Sequence, residues 1–428
     1  MNDSDVLLGQ MAGGDYLGLA PFLRASIAGV DLRHATQQML QDLAQEPANP
    51  NLLMNLSIAA QCLNLQELGM GFQKEALALQ ATYAVPARVQ PARLRLLVLV
   101  TQGSIQSNTP LECLLEVSDI ELVFHYIQAG GRMLTDVPAH DVLFVGISDS
   151  DANRSLLEAL DAELAEWEKP VLNYPRFIPH TARDSAFKLL GGVPQLVVPP
   201  TLRVGHAELY ALAMGQAEVS DFLDGYNFPI ILRPLGSQAG VDLQKIHNAA
   251  EVALYLAALD ETEFFVAPFI DYSDAQGLFR KIRIAFIKSQ AFVCHMGISS
   301  NWMIHYVNAG MYEDDRKRQE EARFMADFPN FLKRHQAVLD TICERMQLEY
   351  LVMDCAETAE GDLLLFEIDH GGVVHAMDLA RIFPYKSEHI RKVQKAFSEL
   401  LYGLLPQREC YEPAVEVRLT AVLVPEIS

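Results

Sequence analysis

Apolar positions follow two rhythms along this chain, and the change between them marks its organisation. Between Asn51 and Gln80 the stretch NLLMNLSIAAQCLNLQELGMGFQKEALALQ repeats at helical spacing, with Gly69 and Gly71 near an expected break between two helices. Residues 1–88 read as helical throughout. Past Pro86 and Pro91 the pattern changes to LRLLVLV (94–100), a continuous apolar run suited to a strand buried on both faces of a parallel sheet. DVLFVGISD (141–149) and PVLN (170–173) repeat it around an expected helix at 152–168. Strand alternating with helix predicts a small parallel α/β domain over 92–200.

Residues 201–405 have an α+β character. FPIILRP (228–234) predicts a strand, GSQAG (236–240) a small-residue loop, and 249–258 a helix. EFFVAPFID (263–271) and FRKIRIAFI (279–287) predict strands, and 328–346 a long helix. YLVMDCAE and LLLFEID follow as strands joined by a turn at Gly361 and Asp362, then a helix over 387–401. The tail, 406–428, carries EVRLTAVLV, an edge strand or a surface for another subunit.

The length, 428 residues, suits roughly two to three domains. A net charge of −22 argues against a general nucleic-acid binder, which needs a basic surface. No apolar run reaches the length of a membrane span, and the acidic start MNDSDVLLGQ lacks the basic region of a signal peptide. Cys62, Cys113, Cys294, Cys343, Cys355 and Cys410 form no Cys-x-x-Cys pair. Free thiols in a reducing cytoplasm are the expectation.

Three groups of residues carry candidate chemistry. Asp354 lies on one strand of the expected hairpin, and Glu367 and Asp369 lie two apart on the other, so those two share a face. Three converging carboxylates repel unless protonated or bound to a cation, and Mg²⁺ prefers a few carboxylates plus phosphate oxygens. In FPIILRPLGSQAG a strand delivers Arg233 to a loop whose backbone N–H groups can cradle phosphate. In FRKIRIAFI, Lys281 and Arg283 share a face and offer an anion site; a charged edge strand has the same pattern.

The order and spacing of these groups resemble the ATP-grasp superfamily, over about residues 92–380. The small α/β domain resembles the family's pre-grasp domain, and its exit, KPVLNYPRFIPHTARDSAFKLLGG, is similar to that of ribosomal-protein glutamate ligases and D-alanine–D-alanine ligase. The resemblance implies ATP and Mg²⁺, with a metal triad at Asp354, Glu367 and Asp369, the last usually Asn in the family. It implies phosphate binding by Arg233, where the family has Lys, by Gly236, Ser237 and Gly240, and by Lys188, with Arg183 nearby. Backbone groups of Ala267 and Phe269 would read adenine, and Asp271 the ribose. Arg283, with Lys281 beside it, matches the basic residue of the family's central strand.

The implied reaction activates a carboxylate as an acyl phosphate and passes the acyl group to an amine, with Arg283 stabilising the oxyanion. The segment 294–315 is the expected substrate loop, offering Ser299, Asn301, Trp302 and His305, the last as a base for the amine. His370, Gly371 and Gly372 follow the triad and offer an acceptor site. Small molecules or peptides remain open as substrates. Asn51–Gln80 resembles one degenerate tetratricopeptide helix pair, though arrays need several repeats of about 34 residues. It reads equally as a site for a protein or peptide partner, a homodimer contact, or a plain helical cap. The rival reading is a degenerate ATP-binding regulator that docks through this region.

Overall fold

The computed structural model describes residues 14–128, 133–237 and 240–406. The tail strand and Cys410 lie outside these. Four helices come first: α1 (Leu19–Ile27), α2 (Leu32–Gln45), α3 (Pro50–Cys62) and α4 (Gln66–Leu79). Asp31 caps α2 and Asn49 caps α3, each side chain accepting from a backbone N–H of the first turn. The break between α3 and α4 falls at Leu63–Leu65, where Asn64 has φ 60°, and not at the glycines. Gly69 lies inside α4 because a Cβ there would come within 2.9 Å of the Ser57 carbonyl. Its absence lets the two helices close. Nor is 1–88 helical throughout: β1 (Thr82–Val85) follows α4.

β1 is the edge of a five-stranded sheet completed by β2 (Leu94–Val100), β3 (Ile120–Tyr126), β4 (Val142–Val145) and β5 (Val171–Leu172), with α5 (Leu111–Leu114) and α6 (Arg154–Leu164) in the connections. The order is β1-β3-β2-β4-β5, parallel except for β1. The chain leaves β2 toward β3 and returns on the other side as β4. The loops after β2 and β4 therefore flank a topological switch point, where open α/β sheets place ligands.

Next come α7 (Arg183–Leu190), β6 (Leu196–Val197), β7 (Leu202–Gly205), α8 (His206–Ala213), β8 (Ile230–Pro234), β9 (Gln244–Ile246), α9 (Ala249–Ala257) and β10 (Glu263–Pro268). Strands β7-β10-β8-β9 form a small antiparallel sheet whose core, with Leu209, Leu232, Val252 and Phe264, is its own. The chain ends with β11 (Phe279–Ile287), β12 (Gln290–Ser299), α10 (Asp315–Met346), β13 (Tyr350–Glu357), β14 (Leu363–Asp369) and α11 (Lys386–Tyr402). The third sheet runs β12-β11-β13-β14-β6 and is antiparallel except at β6. Two boundaries differ from expectation. β12 takes up the start of the expected substrate loop. α10 begins at Asp315, capped by Asp314, and not near Phe328; its first turns are charged and bury only Glu321 and Met325, so apolar periodicity is weak there.

One hydrophobic cluster joins Phe22, Met39 and Leu53 of the helical region to Val98 and Phe144 of the first sheet, Tyr350 of the third and Phe397 of α11. The helical region thus packs as a cap on the first sheet. Each such side chain contributes roughly 1.5–3 kcal/mol by burial, so the helices and sheet stabilise each other. No helix among the described residues is long and apolar enough to cross a membrane.

Candidate active site

A cleft of about 1030 Å³ is lined by the small antiparallel sheet, by β11, β13 and β14, and by the switch-point loops. On its floor Arg283, Asp354 and Glu367 form one row across three strands, Arg283 opposite Asp354 and Asp354 opposite Glu367. Register shifts lie next to Arg283 in the β11–β12 ladder and next to Asp354 in the β13–β14 ladder, on either side of the regular β11–β13 pairing. Such bulges re-aim side chains beside functional sites.

Asp354 is buried, and both of its oxygens are engaged. Arg283 Nε and Nη2 donate to Oδ1 and Oδ2 at 2.7 and 3.0 Å, and Lys281 Nζ lies 2.8 Å from Oδ2. Burial alone would raise this carboxyl's pKa; the two cations outweigh it and hold the group far below its ordinary range. Glu367 is held differently. Arg183, at the start of α7, forms an ion pair with it, Nη2 lying 3.0 Å from Oε2, and donates from Nη1 to the Phe366 carbonyl at 3.0 Å. Against burial, that guanidinium brings the Glu367 pKa down to about 2. Among the described residues no cation forms an ion pair with Asp369. Burial, then the Glu367 charge, push it up to about 7, and its Oδ1 accepts from Gly372 N–H at 2.7 Å. Among the described residues no group of three or more His, Cys, Asp or Glu side chains is arranged to hold a metal. Glu367 and Asp369 remain as a repelling pair that a cation would relieve.

Arg233 comes off β8 into the cleft wall, 7% exposed. Its guanidinium donates to the Ser237 hydroxyl at 3.3 and 3.2 Å and to the Ser237 carbonyl. These partners are neutral. Burial and then nearby Arg183 lower its pKa to about 9. Among the described residues no carboxylate forms an ion pair with it, and Glu367 offsets only part of the burial cost. Gly236 and Gly240 bound the adjoining loop at φ 78° and 73°. A Cβ on Gly240 would lie 2.6 Å from His305 Nε2 across the cleft wall. His305 lines the cleft, and burial, then Lys281, lower its pKa, so the ring is neutral near pH 7.

Several expected residues stand elsewhere. Lys188 is not on the cleft: it is 71% exposed and pairs with Asp184 at 3.8 Å. Five positions along α7 turn it away from Arg183, which takes the cleft position. Ala267 and Phe269 line the cleft, but the Phe269 N–H donates to the Pro229 carbonyl at 3.1 Å. Asp271 is exposed and accepts from Ser273 N–H at 2.9 Å, closing a turn. Ser299 Oγ accepts from Asn301 N–H at 3.0 Å, and Asn301 Oδ1 from Met303 N–H at 3.3 Å; both shape the bend that presents Trp302. Trp302, His370, Gly371 and Gly372 line the cleft. His370 is fully buried, its Nδ1 2.8 Å from Thr109 Oγ1, and burial lowers its pKa to about 4. Sequence reading missed the lining of the switch-point loops: Ser104, Gln106, Ser107 and the stretch 148–153. Their position after parallel strands was the available signal.

No family model matches the sequence, and no curated protein matches it. Solved structures do align. The RimK domain protein ATP-grasp of Sphaerobacter thermophilus is 16% identical over 73% of this chain and 99% of that one, with a TM-score of 0.39. The ATP-grasp ligase PsnB, solved with precursor peptide PsnA2 and AMPPNP, is 13% identical over 74% and 100%, with a TM-score of 0.38. D-alanyl-alanine synthetase A of Vibrio cholerae is 14% identical over 73% and 99%, with a TM-score of 0.44. Likeness this loose transfers neither a site nor a substrate.

Proposed function

We propose that this protein is an ATP-dependent carboxylate–amine ligase of the ATP-grasp type. One observation carries the reading. On the walls of a single cleft stand Arg233, a buried guanidinium with no ion-pair partner among the described residues, and Asp369, a buried carboxyl pressed against the charged Glu367. A magnesium–triphosphate group has both complements. Glu367 and Asp369 would hold Mg²⁺, which when bound offsets phosphate charge. Arg233, Gly236, Ser237, Gly240 and Arg183 would bind the phosphates, and the strand end at Ala267 and Phe269 would lie beside the base. Asp354 would serve the site by orienting Arg283 and Lys281, not as a third metal ligand.

In the first step an oxygen of the substrate carboxylate bonds to the terminal phosphorus while the bond to the leaving diphosphate breaks. The amine nitrogen then bonds to the acyl carbon and phosphate departs. Arg283 and Lys281 would stabilise the negative oxygen that develops between these events. Neutral His305 would take the amine's proton. Small carboxylates, amino acids and peptides are the candidate substrates beside the nucleotide in this cleft of about 1030 Å³. The five described cysteines are unpaired, in keeping with a reducing cytoplasm.

A second reading, an ATP-binding regulator without turnover, draws on Asp354: its engagement leaves two carboxylates where the family has three ligands. Mg-dependent phosphate release from ATP, with pooled amino acids and short peptides, separates the two. Release that needs the pool and is lost in Glu367→Gln supports the ligase. Tight nucleotide binding with no release supports the regulator, and no nucleotide binding overturns both.

A further inference from the structure

The loop after β2, residues 101–109, brings Ser104, Gln106 and Ser107 to the cleft. Two of its backbone N–H groups are held from outside the α/β sheet. Gln73 Oε1, on α4, accepts from Gly103 N–H at 2.9 Å. Gln61 Oε1, on α3, accepts from Ile105 N–H at 3.0 Å. Both glutamines are buried. Gln61 is itself fixed, since its Nε2 donates to Ser57 Oγ at 3.3 Å and its Oε1 also accepts from Gln66 Nε2 at 3.3 Å. Gly69 makes room for it, as a Cβ there would stand 2.6 Å from Gln61 Cγ.

The far side of the loop touches the catalytic hairpin's exit. Ser148 N–H donates to the Ser107 carbonyl at 2.9 Å, and Ser148 Oγ donates to the Gln106 carbonyl at 3.1 Å. A Cβ on Gly371 would lie 3.0 Å from that Ser148 Oγ and 3.6 Å from the Gln106 carbonyl. At the end of the same loop Thr109 Oγ1 lies 2.8 Å from His370 Nδ1, so contacts run from the helical cap, through the loop, to the residues that follow Asp369. Apolar side chains at 61 and 73 would fill the same space but take the side-chain acceptors away from two half-buried N–H groups, those of Gly103 and Ile105.

We propose that helices α3 and α4 form part of the substrate site, with Gln61 and Gln73 as positioning residues for the wall that receives the non-nucleotide substrate. Ser104, Gln106, Ser107 and Ser148 offer uncharged hydrogen-bonding groups, and the neighbouring Asp149 and Asp151 are already paired with Arg154 and Arg203, so the part of the substrate lying there is an amide or a hydroxyl. The substrate's role rests on the ligase reading; the coupling between helices and cleft does not.

The test uses the full chain with Gln61→Met and Gln73→Met, singly and together, and Gln73→Glu, which keeps an acceptor oxygen. Three quantities are measured: affinity for Mg²⁺ with a non-hydrolysable ATP analogue, phosphate release against concentration of a short-peptide pool, and amide hydrogen exchange over 103–107 and 369–373. In the double variant the half-maximal pool concentration should rise about tenfold, with maximal rate and nucleotide affinity within about twofold. Exchange should quicken in both segments, and Gln73→Glu should raise the half-maximal pool concentration less than Gln73→Met. An unchanged pool concentration and unchanged exchange at 369–373 overturn the proposal. So does a parallel fall in nucleotide affinity and rate, which marks general loss of structure. If wild type shows no pool-dependent release, the ligase reading fails, and exchange at 369–373 decides the coupling alone. The single variants carry the test should the double variant not fold.

Discussion

Asp354→Asn and Asp369→Asn should move the stability of the metal-free protein in opposite directions. Asp354 is the acid between two cations, with Arg283 at 2.7 and 3.0 Å and Lys281 at 2.8 Å. Removing one partner of a buried ion pair costs about 3–5 kcal/mol. Arg283 and Lys281 keep 23% and 18% side-chain exposure, so water relieves part of that cost and the lower end, about 3 kcal/mol, is expected. Adding Lys281→Met to Asp354→Asn should recover part of the loss, since one unpaired cation goes with it. Asp369 has the reverse sign. Its pKa in the folded chain, about 7, lies above the ordinary 3.8, because burial and Glu367 oppose its charge. The native state therefore holds the proton more tightly than the unfolded chain. That contribution is complete at pH below the ordinary value and is lost as pH rises through about 7. Asp369→Asn should thus stabilise most at pH 8 and change little at pH 4. Urea unfolding with a chelator present, at both pH values, measures all four proteins. Stabilisation by Asp354→Asn at pH 8 would make Asp354 a repelled ligand like its neighbours and refute its assignment to the cations.

Arg233→Met should weaken binding of Mg²⁺ and a non-hydrolysable ATP analogue by about 10- to 100-fold without lowering the unfolding midpoint, because an uncompensated charge is removed. Calorimetric titration checks this, and unchanged affinity would exclude Arg233 from the phosphate site. Arg183→Ala should reduce the same affinity, whereas exposed Lys188→Ala should leave it within about twofold. The opposite ranking would mean that α7 presents its other side to the nucleotide. Glu112 Oε1 accepts from Leu19 N–H at 3.1 Å, capping α1, and burial pushes its pKa from 4.5 to about 7. Its contribution to stability is full below about pH 4.5 and lost as pH rises through about 7. Glu112→Gln keeps the acceptor and should raise the thermal midpoint more at pH 8 than at pH 5; an equal shift at both would dismiss Glu112 as the titrating group.

The features legible in the sequence were those written in short-range patterns. Continuous apolar runs marked β2 and β4, since a strand covered on both faces needs no polar positions. Alternation in β11 put Lys281 and Arg283 on one face, and both do reach the same carboxylate. The two-residue spacing of Glu367 and Asp369 put both on the cleft. Where local signals were weak, boundaries moved: the charged first turns of α10 hide its start, and Gly69 resembles a helix break yet marks a close helix contact. Tertiary structure alone decided what each charge meets. Strand register set Arg283 beside Asp354, so that the carboxylate expected to meet a metal meets two cations. Helix phase chose Arg183 over Lys188. Packing made the helical region a cap and carried Gln61 and Gln73 to a loop some 30 to 44 residues away. The physical reason is common to all three: a side chain's chemistry is fixed by its type, but its charge state and use depend on neighbours brought close by pairings distant in the chain.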